Sequence, residues 1–242
     1  LPDELARNIR QAYWAATSWT DMHIGKVLQA LEDTGLRNDT IIALWGDHGY
    51  QLQDNNQWAK QTNYEQATRI PMMISAPTLP GFQPGRSPAL VEVIDIFPTL
   101  VELAVGMEVP PCSHNVTESR QTSLCTEGFS LVPLLTEPDS QWRPAAFSQY
   151  ARGHETIMGY TVRVNDYRYT SWVGFNRTTA TPAWDDVHGT ELYDHSDSPV
   201  PVSFGVEHTN LANNPAYADV KSKLHAVLLA GWRKATVPPA EA

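Results

Sequence analysis

Asp47, His48 and Lys60 stand within ALWGDHGYQLQDNNQWAK, residues 43–60. An ionised carboxylate and a neutral imidazole on adjacent residues can both reach one cation, and Gly49 beside them frees the backbone to bend there. Lys60 follows thirteen residues after Asp47. A bound cation and a lysine ammonium around one pocket can hold a tetrahedral anion and neutralise the charge that develops in a displacement. The same residue types also fit a plainer account: a turn-capping aspartate, a surface histidine and a solvated lysine.

The surrounding elements must bring the three together. Ile41 to Trp45 is a continuous apolar run of strand length, which reads as a strand buried on both faces, as in the parallel sheet of an α/β domain. Asp47 and His48 then lie beyond its carboxyl end, where open α/β sheets bind ligands. A second run, RIPMMISAP, ends at Pro77, so Lys60 also falls between two strands. Upstream, Ile9, Tyr13, Ala16, Thr20, Ile24, Val27 and Leu31 recur at three- and four-residue steps. They predict a helix over roughly residues 4–34, with Gly35 as its C-terminal stop.

After the proline- and glycine-rich TLPGFQPGRSP, the segment LVEVIDIFPTLVELAVG predicts a short strand and a helix with Asp95 as N-cap, Pro98 in the first turn and Gly106 as the stop. From about residue 140 the segments AFSQY, IMGYTVRVN, YRYTSWVGF and ELYD are β-branched and aromatic. Among them TVRVNDYRYTSW reads as a hairpin turning at Asn165-Asp166. Tyr217, Val220, Leu224, Val227, Leu228 and Trp232 mark a final amphipathic helix. We therefore expect an α/β unit over residues 1–140 and a subdomain of antiparallel sheet plus helix over residues 141–242.

The 242 residues can bury a large core, and their formal charge of −10 argues against a general nucleic-acid or anionic-membrane binder. No apolar run approaches the length of a membrane span, and LPDELARNIRQ has neither an initiator methionine nor signal-peptide layout, as expected of a processed piece. Cys112 and Cys125 lie in a polar segment, where a local disulfide stabilising by roughly 3 kcal/mol competes with two free thiols. Asn38, Asn115 and Asn176 each open an Asn-X-Thr sequon. With the cysteine pair they point to the secretory pathway, lysosomal or secreted.

The ordered blocks YWAATSWTDMHIGKVLQALEDTGLRNDTIIALWGDHGYQL, WAK, ATRIPMMI, VEVIDIFPTLVELAVG and ELYDHSDSPVPVSFGVEHTNLANNPAYADV resemble the C-terminal half of the sulfatase family, within the alkaline-phosphatase superfamily. The likeness implies the C-terminal half of a sulfatase-type α/β sandwich domain followed by the small antiparallel-sheet subdomain with its C-terminal helix. It implies a calcium ion held by Asp47 and His48, and sulfate contact at Lys60. It also implies a formylglycine nucleophile from a C-x-P-S-R or similar motif that neither Cys112 nor Cys125 provides. The N-terminal portion of the enzyme is thus an expected partner, and this chain alone is expected to be inactive.

Where relatives read LGEHGxWxK, this chain has Gln53, Asp54, Asn55 and Asn56 after Leu52, so both glycines and the histidine are replaced while Trp58 and Lys60 keep their places. FSQYARG, IMGYTVRVNDYRYTSWVGFN and the cysteine pair after VPP resemble the branch that removes the 2-O-sulfate from iduronate units of glycosaminoglycans such as heparan and dermatan sulfate. For a sulfated sugar, Tyr50 and Trp58 are candidate pocket residues, Tyr50 either lining its mouth or only packing. Arg163 and Arg168, with Arg152 nearby, are candidate carboxylate contacts or strand charges paired with Asp166, Asp185 or Asp186. A phosphoester hydrolase of the same superfamily and a non-catalytic glycan-binding chain are the other two readings.

Overall fold

The computed structural model describes residues 1–196 and 207–235. Residues 197–206, inside the last block that carries the family resemblance, lie outside the described residues.

α1 (Asp3–Asp33) runs the whole length of the first apolar pattern, and Gly35 follows it at φ +71°, the left-handed turn expected at a helix end. Its stripe is only partly covered. Ile9, Ile24 and Leu31 are half-buried, Tyr13 and Val27 are exposed, and Trp14 and Trp19 are exposed beside them.

Five short elements follow: β1 (Ile42–Trp45), β2 (Gln51–Leu52), β3 (Trp58–Ala59), α2 (Glu65–Thr68) and β4 (Met72–Ser75). β1 pairs with β4 from Ile42 opposite Ser75 to Trp45 opposite Met72, and the pairing is antiparallel. This corrects the parallel arrangement expected from the apolar run. Continuity of apolar residues is silent on strand direction, and the expected burial on both faces is not met either, since β1 is half-buried with Trp45 exposed. Here the intervening β2–β3 hairpin and the single turn of α2 return the chain alongside β1 in the opposite sense.

α3 (Ile96–Val105) ends at Gly106, as its sequence predicts, but Asp95 does not cap it. The Asp95 carboxylate instead accepts hydrogen bonds from the backbone N–H groups of Glu92 at 2.7 Å and Phe129 at 2.9 Å. It also pairs with Arg143, which bridges it to Glu92. Glu92 in turn accepts from Phe147 N–H at 2.7 Å, so three separated segments meet on one buried arginine. α4 (Val116–Gln121) lies inside the loop closed by the Cys112–Cys125 disulfide, with the Asn115 side chain accepting from Thr117 N–H at 2.9 Å as its cap. α5 (Val132–Thr136) follows.

The remaining chain forms one antiparallel meander in the order β5 (Ala146–Arg152), β6 (Ile157–Arg163), β7 (Tyr167–Asn176) and β8 (Thr181–Asp194). α6 (Ala218–Ala230) packs on it through Leu224 and Leu228, which join Ala145, Val162, Tyr169, Leu192 and Ala212 in the main core. β6 and β7 turn at Asn165-Asp166, where the hairpin pattern placed the turn.

Candidate active site

The Asp47-His48 turn is clipped to the backbone that precedes β4. Gly46 N–H donates to Pro71 O at 3.0 Å, and Gly49 N–H donates to Ala67 O at 2.9 Å. A Cβ at position 49 would sit 2.0 Å from Gln66 O, so glycine is what permits this approach. Sequence and packing together thus hold the two candidate ligands at the strand end.

Within the turn, Asp47 Oδ1 accepts from His48 N–H at 3.0 Å, and Asp47 Oδ2 lies 3.1 Å from His48 Nε2. His48 Nδ1 is 2.8 Å from Gly49 O. A carbonyl oxygen only accepts, which favours a proton on Nδ1, while Nε2 faces both an acceptor, the Asp47 carboxylate, and a donor, the Lys60 ammonium. The Lys60 ammonium donates to that nitrogen. Asp47, His48 and Lys60 therefore converge through the imidazole, whose Nε2 is met by the Lys60 ammonium and by one oxygen of the largely exposed Asp47 carboxylate. Such a donor pair suits a divalent cation but is only part of the six to eight ligands, roughly, that calcium takes.

Lys60 arrives there through an unusual loop. Gln53 at φ +88°, Asn55 at +51°, Asn56 at +56° and Ala59 at +69° all take left-handed backbone. Gln53 and Asn56 are the positions where the family pattern carries glycine, so this chain keeps a glycine-like backbone at both with other side chains. The hairpin is braced by α1: Arg10 Nε donates to Leu52 O at 2.9 Å, and Tyr13 stacks on Tyr50 with ring centroids 4.8 Å apart. Arg10 also lies 6.0 Å from the ring centre of Trp58. Tyr50 and Trp58 thus pack towards α1, while Tyr50 keeps 37% of its surface exposed.

Arg163 and Arg168 go elsewhere. Arg168 is 3% exposed and bridges Glu207, at 2.6 Å from its Nε, and Glu65. Arg163 Nε donates to Glu65 Oε2 at 3.4 Å, and its Nη2 lies 3.2 Å from His195 Nδ1. Their partners are these buried groups, not the nearby aspartates, and neither arginine contacts Asp47, His48 or Lys60. Burial alone would raise Glu65, but Arg168 and Arg163 outweigh it and hold the carboxyl below the usual range. Burial likewise opposes ionisation of Glu207, and Arg168 and His195 overcome it. Glu65, His195 and Glu207 come close enough together to suggest a second metal centre. The Arg168 guanidinium already supplies the positive charge there, so the cluster is an ion-pair lock between α2, β7 and the chain at residue 207. Glu65 and Glu207 carry no sequence signal of this role, because 142 positions separate them.

A polar cavity of about 220 Å³ opens beside the hairpin, lined by Gln57, Thr62, Asn63, Tyr64, Arg152, Trp172 and Glu191. A larger groove of about 440 Å³, with Tyr169, Lys221 and His225 on its walls, contains none of the three convergent residues. Asn38, Asn115 and Asn176 are all exposed. Among the described residues, no helix is long and apolar enough to cross a membrane.

Residues 2–107, which hold Asp47, His48 and Lys60, match the family model described as Sulfatase. Iduronate 2-sulfatase from Homo sapiens is 35% identical over 239 residues, covering 80% of this chain and 43% of that protein. The chain thus spans less than half the length of this relative. A protein solved in complex with its substrate D-glucosamine-2-N,6-O-disulfate superposes with a TM-score of 0.65 at 25% identity, covering 92% of this chain and 40% of the other. A phosphonate monoester hydrolase from Silicibacter pomeroyi gives the same TM-score of 0.65 at 27% identity, with 89% and 39% covered. The matched model, the relative at 35% identity and the shared fold agree: the chain belongs to the sulfatase family.

Proposed function

We propose that this chain is the C-terminal portion of a sulfuric ester hydrolase acting on sulfated sugars, of the iduronate-2-sulfatase type. In this reading Asp47 and His48 are ligands of a calcium ion and Lys60 contacts the sulfate group. The observation that carries it is that the Asp47 carboxylate and the Lys60 ammonium both come to His48 Nε2. An ion held there supplies positive charge to the sulfate oxygens. The chain's own part is to fix the His48 tautomer through Gly49 O, to present the Asp47 carboxylate, and to place an ammonium where negative charge grows. Tyr50 and Trp58 flank the approach of the sugar. The nucleophile, a formylglycine, belongs to the N-terminal portion, so residues 1–140 complete that portion's catalytic domain and residues 141–242 form the subdomain behind it. The exposed sequons and the disulfide suit glycosylation and a lysosomal or secreted location.

The test is sulfate release from an iduronate 2-sulfate disaccharide by the complete polypeptide, before and after chelation of calcium. Turnover that disappears with the ion and returns on its replacement supports the reading; binding of the disaccharide without turnover sinks it in favour of a glycan-binding chain. Likeness to a phosphonate monoester hydrolase supports a second reading, a phosphorus ester as substrate. Faster turnover of a phenyl phosphonate ester than of any sulfate ester would select it.

A further inference from the structure

Arg152 closes β5, and its guanidinium lies over two aromatic rings, 4.8 Å from the centre of Tyr150 and 5.4 Å from that of Trp172. Trp172 can lie there because its pair across the sheet is Gly159. A Cβ at position 159 would fall 2.6 Å from the indole. The other buried or half-buried arginines among the described residues end on acceptors. Arg143 meets Glu92 and Asp95, Arg163 and Arg168 meet Glu65, Arg233 meets Glu127, Arg37 meets Glu32, and Arg10 meets Leu52 O. The Arg152 side chain makes no hydrogen bond or ion pair with any described residue, although it is half-buried in the wall of a polar cavity.

Glu191, the acid in the same cavity, is already engaged. Its oxygens accept from Trp172 Nε1–H at 2.8 Å and from the Tyr193 hydroxyl at 3.2 Å. Asn63, also in the wall, donates to Gly159 O at 3.0 Å. Gln57 and Thr62, on either side of Lys60 in the chain, are in the cavity wall, and Thr62 donates its N–H to Lys60 O at 2.8 Å. The segment around Lys60 and the sheet that carries Arg152 therefore wall one polar space, in which Arg152 is the cationic side chain and next to which the Lys60 ammonium is turned onto His48. Aromatic faces on a guanidinium hold its plane and leave its N–H edges for a planar or tetrahedral anion.

We propose that Arg152, seated on Trp172 and Tyr150, binds a second anionic group of the sugar whose sulfate ester meets Lys60. That group is a carboxylate on the same ring or a sulfate on the neighbouring one. The inference rests on the sulfatase reading and adds a specificity determinant to it. Glu191, in the same cavity wall, is placed to accept a hydroxyl of the sugar.

The experiment compares the complete polypeptide with its R152Q and R152K variants. The substrates are an iduronate 2-sulfate disaccharide carrying a neighbouring sulfate, its carboxyl-reduced form, its form without the neighbouring sulfate, and a small aryl sulfate. R152Q is expected to lower kcat/KM on the acidic disaccharide about ten- to a hundredfold through KM, with partial rescue in R152K. The loss on the aryl sulfate should be much smaller. The sugar form on which R152Q and wild type no longer differ identifies the group that Arg152 holds. An equal loss on all four substrates, or R152K behaving as R152Q, overturns the proposal. If the wild type releases sulfate from none of them, the sulfatase reading itself has failed. Calorimetric titration of the acidic disaccharide then decides for Arg152 alone: equal affinity for wild type and R152Q overturns the proposal, and tighter binding by the wild type sustains it.

Discussion

The Lys60 ammonium donates its proton to His48 Nε2, joining two side chains that lie twelve residues apart and on opposite limbs of the hairpin loop. Lys60→Ala in the complete enzyme should therefore lower kcat/KM on a sulfate ester by about two to three orders of magnitude, as removal of one oriented cationic donor does elsewhere. Steady-state rates with the circular dichroism spectrum as a control check this. A rate within a fewfold of wild type would remove Lys60 from the site.

Glu207 and Glu65 titrate below the usual carboxylate range in the folded chain, because Arg168 outweighs their burial. A carboxyl depressed on folding contributes stability that is fully present above its unfolded pKa and is lost as pH falls through the lower folded value. Stability should accordingly fall below about pH 4.5. Glu207→Gln should flatten that acid limb and cost about 3–5 kcal/mol near neutrality, where Arg168 loses a buried partner. Denaturant titrations from pH 3 to 7 would show it; an unchanged acid limb would contradict the assignment.

Arg143 presents the opposite sign. Burial raises both Asp95 and Glu92, and Arg143 offsets this only in part. Their folded pKa values lie above the unfolded ones, so proton uptake favours the folded state and the cost of ionising them grows as pH rises. Arg143→Ala strands two buried carboxylates and should destabilise by about 3–5 kcal/mol at neutral pH, with part of the loss recovered in acid. Midpoints of urea unfolding at two pH values separate this from simple loss of packing, which would not depend on pH.

Ala59 holds φ at +69° immediately before Lys60. A side chain in left-handed backbone costs about 1–2 kcal/mol, and glycine recovers much of that while loosening the unfolded chain. Ala59→Gly should thus raise stability by up to about 1 kcal/mol. A melting temperature that falls would show that the left-handed turn is not where the strain lies.

The sequence was legible wherever period and punctuation agreed. α1, the β6–β7 turn at Asn165-Asp166, the C-terminal helix and the Cys112–Cys125 bridge fall where spacing placed them. Strand direction was not, since the apolar run of β1 is compatible with either sense. Asp95 looked like a cap because caps are local. Its partners Phe129 and Arg143 are 34 and 48 positions away, and a buried guanidinium competes better for a carboxylate than a helix end does. In the site, adjacency revealed Asp47 and His48, whereas the placement of Arg163 and Arg168 depended on Glu65 and Glu207, which no spacing links to them.

The lock formed by Glu65, Arg168 and Glu207 also sets an order of events as the chain is made. Its contacts close loops of 103 and 142 residues, so they rank among the costliest to form and belong late in folding. α2, directly downstream of Lys60, can meet Arg163 and Arg168 once the sheet is made, but its N-terminal backbone is held by Glu207 only once the chain has been synthesised past residue 207. A nascent chain can complete the hairpin and pair Arg168 with Glu65 before Glu207 exists, so premature termination before Glu207 yields a product in which Arg168 Nε and the Glu65 N–H have lost the carboxylate they share.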